Sequence, residues 1–337
     1  YNYLFINGRL LMEKLIPIEG DEEVALNGET VVYARLNKEN CQSITTDSFL
    51  NGSFKENFKG KIKFIETDAI LIDYFWDIIK LNCSQIEKDF KQYVKNGTVE
   101  GKLYDGVYLL DSRNIFVGKN STIKPGCVLD AEEGPIYIGE NVSIASNSTI
   151  EGPVFIGNES KINAHSRILS GSNIGRVCKV GGEIEETVIH DYSNKQHDGF
   201  LGHAYLGSWV NLGADTVNSN LKNTYDCVHV KLFNKMVNSG RMFLGMAIGD
   251  HSKTAINTTF MTGTVVGFGS NIVTSKYPPK FVPSFCWCIN KGIVPYDVNT
   301  FIELAEKVMA RRNITLTESE KVLYKTVYNL TEDERAK

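Results

Sequence analysis

Between Glu185 and Leu244 the residue types change from structural filler to groups that can move protons and hold polar ligands. The stretch carries His190, His197 and His203, the carboxamides Asn211, Asn218 and Asn220, and the ammonium of Lys222. An imidazole, with an unperturbed pKa of about 6.5, can take up a proton near neutral pH. A carboxamide can donate and accept hydrogen bonds at once, which suits a hydroxyl-rich ligand. Most of these groups lie in one run, His197-Asp-Gly-Phe-Leu-Gly-His-Ala-Tyr-Leu-Gly-Ser-Trp-Val-Asn211-Leu-Gly-Ala-Asp-Thr-Val-Asn-Ser-Asn220.

An internal repeat of period six must position them. Aliphatic residues recur at Val117, Ile123 and Leu129. After a phase break near Glu132-Glu133-Gly134 they recur at Ile138, Ile144, Ile150, Ile156, Ile162, Ile168, Ile174 and Val180. A small residue often follows at once, as in Ile138-Gly139, Ile144-Ala145 and Ile156-Gly157. The pattern returns at Leu206 and Leu212, and again at Ile248, Thr254, Phe260, Val266 and Ile272. A helix would show spacings of three and four, and a simple strand a spacing of two. Each six-residue unit instead gives a short strand and a turn, and three units close a triangular coil. The aliphatic residue points inward, where the next coil stacks on it and buries a core that one coil could not hold. Asn and Gly supply left-handed turn conformations at low cost. The expected architecture is mainly β, a left-handed parallel β-helix of hexapeptide repeats. The repeat breaks at Glu185–Phe200 and again from Asn220 to about Leu244, where loops are expected to project and a site to form.

Two other zones flank the coil. Residues 1–105 read as a small α/β domain, with strands at Tyr3–Ile6, Thr30–Ala34 and Ile62–Ile65. A polar stretch from Asn37 to Gly60 carries no periodic pattern. Trp76, Ile79, Cys83, Ile86 and Phe90 predict a helix over 74–94. Residues 106–276 hold the β-helix. Residues 277–337 read as a loop with Pro283 and Pro295, then helices over 301–312 and 318–330 opened by capping boxes at Thr300/Glu303 and Thr317/Glu320. These helices would cap the open end of the coil or pack on a neighbouring subunit.

Composition narrows the function classes. The 337 residues are 42% hydrophobic and 23% charged, ordinary for a globular protein. A net charge of -4 gives no basic footprint, so no nucleic-acid partner is expected. No apolar run approaches the roughly 18 residues that cross a bilayer, so no membrane is expected and a cytoplasmic location is. Seven cysteines without regular spacing argue against a disulfide framework. The Cys286-Trp-Cys288 pair lacks a second pair, so no metal site is expected and buried reduced thiols are. The chain opens on Tyr1 rather than Met, which leaves room for a segment upstream.

The His197–Asn220 run resembles the acetyltransferase half of the bifunctional glucosamine-1-phosphate acetyltransferase / N-acetylglucosamine-1-phosphate uridylyltransferase family, the GlmU-like proteins. That family carries a His three residues before an aromatic-Leu-Gly, then Asn-Ile-Gly-Ala-Gly-Thr, then an Asn nine residues past the first. All these spacings hold here, and the resemblance covers roughly residues 115–275. With Phe75-Trp76-Asp77 and Asn-Ser-Asn-Leu-Lys, the whole chain looks most like sugar nucleotidyltransferases related to that enzyme.

The resemblance implies acetyl-CoA-dependent N-acylation of an amino sugar-1-phosphate or nucleotide sugar by a homotrimer, with sites between neighbouring coils. His197 matches the general base, and Asn211 and Asn220 match positions that hold the sugar. Arg167 falls where the family places an Arg on the sugar phosphate, which a guanidinium can bind through two parallel hydrogen bonds. Ala214 matches a small residue beside the CoA arm, and Lys222 could reach the space of a further family Lys. Two positions depart from the pattern: Phe200 replaces a Tyr, and Glu185 replaces a phosphate-contacting Lys.

The bland readings are a loop histidine at 197, a coil-turn asparagine at 220 and solvated charges at 167, 222, 253 and 276. His190, His203 and His251 have no matching partners. Trp209 reads as an outer-face residue packed at a subunit contact. Nucleotidyl transfer, the alternative activity, would need Mg2+ and a Gly-rich phosphate loop. No such run is present, and Gly8-Arg9 is no substitute. A non-catalytic trimeric sugar-nucleotide-binding protein is the third reading.

Overall fold

The computed structural model describes residues 3–336 except 43, 46–52, 59, 95 and 233. The chain divides into two compact units, Tyr1–Asp77 and Ile78–Lys337.

In the first unit a four-stranded sheet has the order Tyr3–Ile6, Thr30–Leu36, Glu23–Asn27, Lys63–Glu66. The first three strands pair antiparallel in succession, and the last pairs parallel with the third. Val24, Leu26, Ala34, Leu36, Phe54, Phe58 and Ile62 form its core. The strand Glu23–Asn27 had no sequence signal, because its three central residues are all buried and the run is too short to show alternation. Within the patternless stretch from Asn37 to Gly60, Lys38–Gln42 and Ser53–Phe58 are short helices, and residues 46–52 lie outside the described ones.

The second unit is the expected left-handed parallel β-helix, with three sheet faces. The ten-stranded face runs from Thr98–Val99 to Phe281–Val282. A six-stranded face, here the Arg167 face, runs from Tyr108–Leu110 to Phe200–Gly202. The Lys179 face runs from Lys102–Leu103 to Asn194–Lys195 and continues through bridges at Asn211 into Lys253–Thr254, Asn271–Val273 and Cys286–Ile289. Register explains the period: Ile156 pairs with Ile138, eighteen residues or three hexads earlier. Across Glu132-Glu133-Gly134 the shift is twenty-one, with Ile138 on Val117, so the three extra residues are absorbed in one corner. The aliphatic column from Val117 to Ile272 is almost wholly buried. The small residue after it is also explained: a Cβ on Gly157 would lie 2.7 Å from the Gly175 carbonyl carbon one coil away.

The two breaks in the repeat differ in kind. Glu185–Phe200 does not project as a loop. Val188–Ile189 and Asn194–Lys195 are coil strands, paired with Asn173–Ile174 and Lys179–Val180 only fifteen residues earlier. The coil has contracted, so a period of six no longer shows although the stacking continues. The second break is a true insertion. Lys253 follows Asn211 in register across forty-two residues, and the extra chain includes an antiparallel hairpin, His229–Leu232 with Lys235–Asn238.

Left-handed turn positions at one corner are not confined to Asn and Gly. Val177, Tyr192, Trp209 and His251 all have φ near 60° there, held by the stacked coils. Tyr192 and Trp209 stack with ring centroids 4.2 Å apart, and Trp209 continues onto His251 at 5.9 Å. The C-terminal helices Val298–Ala310 and Glu318–Leu330 pack on this corner through Phe301, Met309 and Tyr324. Trp209 therefore packs within its own chain, against this helical pair.

The capping box at Thr317 and Glu320 forms as expected. At the first helix Asp297, not Thr300, is the cap, because its carboxylate accepts the Thr300 amide and draws the start three residues earlier. Where a proline-containing loop was expected, Cys286–Ile289 and Gly292–Pro295 form a hairpin that extends the Lys179 face. Cys286 and Cys288 are buried thiols on that hairpin. The helix Phe75–Tyr93 matches its expected span. From Ile78 onward it lies against the ten-stranded face, where the Asn82 side chain donates to the Gly171 carbonyl at 2.7 Å.

Candidate functional site

His197 lies on the turn between the Lys179 face and the Arg167 face, with its side chain exposed. What fixes the turn is Lys195, which sequence reasoning missed. Lys195 occupies an interior position paired with Val180, where the repeat calls for an aliphatic residue, and is 1% exposed. Its ammonium donates to the carbonyls of Gly181 at 3.2 Å and Asp198 at 2.8 Å, and also to that of His197. Burial pushes its pKa down to about 8, while Asp198 and Asp215 oppose the shift. A buried cation thus ties the backbone at His197 and Asp198 to the coil interior. Lys195→Met should keep the aliphatic column filled but release this turn. Amide exchange over residues 196–199 is expected to accelerate by tenfold or more, that is, by roughly 1.4 kcal/mol of lost local stability. Unchanged exchange, measured by mass spectrometry, would show that the ammonium does not hold the turn.

Asn220 is half-buried, and its amide lies 3.1 Å from Nδ1 of His203, not on His197. The His203 ring stacks on Phe243 at 5.4 Å. Burial, reinforced by the positive charge of Arg241, lowers the His203 pKa to about 4, so this ring is neutral above that pH. Neighbouring Asn218 fixes the strand. Its carboxamide accepts from the Gly202 amide at 3.0 Å and donates to the Gly202 carbonyl at 2.9 Å. No sequence signal marked the His203–Asn220 pair, because the partners come from successive coils whose spacing is set by a contracted coil.

Arg167, Glu183 and Phe200 stand in register on the Arg167 face, and the Arg167 guanidinium pairs with Glu183. Glu185 is on the same strand as Glu183, and burial followed by Glu183's charge raises its pKa. Asn211 bridges Asn194 and Lys253 on the Lys179 face, and its carboxamide accepts from Asn194 at 3.3 Å. Ala214 sits at the next corner, where its carbonyl takes the Asn257 amide at 2.8 Å. The Lys222 ammonium donates to the Cys227 carbonyl of its own loop at 2.7 Å. Lys253 donates to the His251 carbonyl at 2.8 Å, and burial lowers its pKa to about 8. His251 lies in the aromatic corner under the helical pair. His197 thus lies on the turn that leads into the Arg167 face and Arg167 on the face itself, Asn220 meets His203 just past the strand Phe200–Gly202, and Asn211 belongs to the adjoining face. Among the described residues no group of three or more His, Cys, Asp or Glu is placed to hold a metal ion.

A family of sugar nucleotidyl transferases matches residues 2–97. The bifunctional protein GlmU of Picosynechococcus sp. is 31% identical over 179 residues, covering 51% of this chain and 35% of that protein. The GlmU of Thermotoga petrophila is 24% identical over 247 residues, covering 66% of this chain and 51% of that protein. The chain is thus similar in sequence to GlmU proteins. A bifunctional sugar-1-phosphate nucleotidylyltransferase/acetyltransferase of Sulfurisphaera tokodaii is 36% identical over 85 residues, or 25% of this chain and 21% of that protein. The chain thus spans about half or less of the length of these curated relatives. All three carry names of bifunctional proteins; in this chain the sugar nucleotidyl transferase match at the start is followed by a parallel β-helix. No helix among the described residues is long and apolar enough to cross a membrane.

Proposed function

We propose that this chain is an acyltransferase that moves the acetyl group of acetyl-CoA to the amine of an amino sugar-1-phosphate or nucleotide sugar. The observation that carries the reading is the ungapped His197, Asn211, Asn220 spacing, set on successive coils of a GlmU-like β-helix. In the proposed step His197 takes a proton from the sugar amine as the nitrogen attacks the thioester carbonyl. The C–S bond then breaks, and the thiolate leaves and is protonated. An imidazole does this at neutral pH because its protonation range lies there. The exposed His197 ring on a turn anchored by Lys195 suits a base that must meet a diffusing substrate. Asn220, Asn211 and Arg167 would hold the sugar and its phosphate, Ala214 would leave space for the CoA arm, and Lys222 would have to exchange its loop carbonyl for the phosphate. A homotrimer would bring a second chain against this edge.

A second reading is supported by the sugar nucleotidyl transferase match over residues 2–97: transfer of a nucleotidyl group to a sugar-1-phosphate, with Mg2+ on the phosphates. A non-catalytic sugar-nucleotide-binding protein is the remaining one. Incubating the protein with acetyl-CoA and a panel of amino sugars, their 1-phosphates and nucleotide sugars, with products followed by mass spectrometry, separates them. A product heavier by one acetyl group is the expected result. No acetylated product with any acceptor, alongside pyrophosphate release from a nucleoside triphosphate and a sugar-1-phosphate, would favour the second reading. Binding without turnover in either assay would favour the third.

A further inference from the structure

The Lys179 face carries a column of cations that the proposed chemistry does not use. Lys161 and Lys179 stand in register on adjacent strands, and Asn194 follows Lys179 on the next. Arg312, from the turn between the two C-terminal helices, reaches across to donate to the Asn194 carboxamide at 3.0 Å, and Asn194 in turn donates to Asn211 at 3.3 Å. Arg311 adds its charge beside them. Among the described residues, none of these four cations pairs with an acid. Asp191, whose charge together with that of Arg312 acts on Cys178, is already held by Arg176 through hydrogen bonds of 2.8 and 2.9 Å. The crowding is felt: Arg312, then desolvation, Lys161 and Arg311 push the Lys179 pKa down.

Like charges held together without an acid cost stability in the empty protein, and this chain as a whole is acidic. The arrangement is also built, not incidental, because Arg312 is fixed by a hydrogen bond to the coil it overhangs. Two lysines supply point charges, and a guanidinium supplies paired donors that match phosphate oxygens. We propose that Lys161, Lys179, Asn194 and Arg312 form a binding site for the phosphate groups of a phosphorylated small molecule. The site rests on binding alone, so it stands or falls independently of acyl transfer. The phosphates could belong to a coenzyme-linked acyl donor, to a nucleotide sugar or to free phosphate.

Isothermal titration of the full chain at low salt, with 3′,5′-ADP, UDP and inorganic phosphate as separate probes, tests the site and names the source. At least one probe is expected to bind, and its affinity to fall about tenfold in Lys179→Gln and in Arg312→Gln, with binding weakened by added salt. Arg312 lies on the turn between the two C-terminal helices and is not part of their hydrophobic cluster, so the fold is expected to survive its replacement. Lys179→Gln should melt at or above the wild-type temperature in phosphate-free buffer, since it removes one of the repelling charges. Absence of binding by all three probes at 10 mM, on the order of the weakest useful affinity, would overturn the site. So would binding that both variants leave unchanged.

Discussion

His197→Ala is expected to lower acetyl transfer by about 10²–10⁴-fold, the usual contribution of a positioned general base. The side chain is exposed, and what anchors its turn is the backbone carbonyl held by Lys195, which alanine retains. The melting temperature should therefore stay close to wild type, and a CoA titration should give an unchanged affinity. Turnover per active site is the quantity to measure, on the acceptor that the product screen identifies. A loss of turnover with fold and CoA binding intact would assign the proton transfer to His197. Retained turnover would remove the role from His197 and direct attention to His203, whose neutral ring is already bonded to Asn220.

His251 should make the second unit acid-sensitive. The ring is 2% exposed, and its Nε2 lies 2.9 Å from the Tyr324 hydroxyl. Its Nδ1 is buried with no partner among the described residues. Burial, with a contribution from Lys253, pushes its pKa down to about 3. An unfolded chain would protonate it near 6.5, so between these values the unfolded state binds the proton and the folded state does not. Stability from this group is complete above about pH 6.5 and is lost as pH falls through the window toward 3. Each pH unit inside the window is worth about 1.4 kcal/mol.

His251→Phe removes the titration and suits the site, because Phe285 adopts a left-handed turn conformation in the same aromatic cluster. Between pH 6.5 and 4.5 the wild type is expected to lose roughly 2–3 kcal/mol more stability than the variant. Denaturant unfolding at several pH values reads this as a difference in slope. A constant offset is also expected, because Tyr324 loses its hydrogen-bond partner. Parallel pH curves would mean that His251 can be protonated without opening the corner.

The aliphatic column explains why so much of the architecture was legible. A hexad repeat is a local pattern whose structural consequence, one coil stacking on the next, is the same each time it recurs, so Ile138 to Val180 announced their own environment. The Thr317 capping box was readable for a similar reason, since a cap and its partner lie three residues apart. The site was legible only as a spacing shared with a family: His197, Asn211 and Asn220 could be named, but not what each one touches.

Tertiary structure decided what depends on the residue one coil away. Glu185–Phe200 reads as a break, yet it is coil, because a contraction to fifteen residues preserves stacking while erasing the period. Lys195 carries no marker along the chain and is interior, because the His197 and Asp198 carbonyls of its own turn and the Gly181 carbonyl of the coil before can hold an ammonium there. Trp209 and His251 lie forty-two residues apart and stack, because an insertion between them leaves the coil register intact. The sequence by itself determined the solenoid, which follows from short-range repetition, and offered a candidate segment for chemistry from residue type alone. Which side chains meet, Asn220 with His203 and Arg312 with Asn194, was decided by the number of residues in each coil and by where the C-terminal helices fold back. No pattern along the chain encodes either.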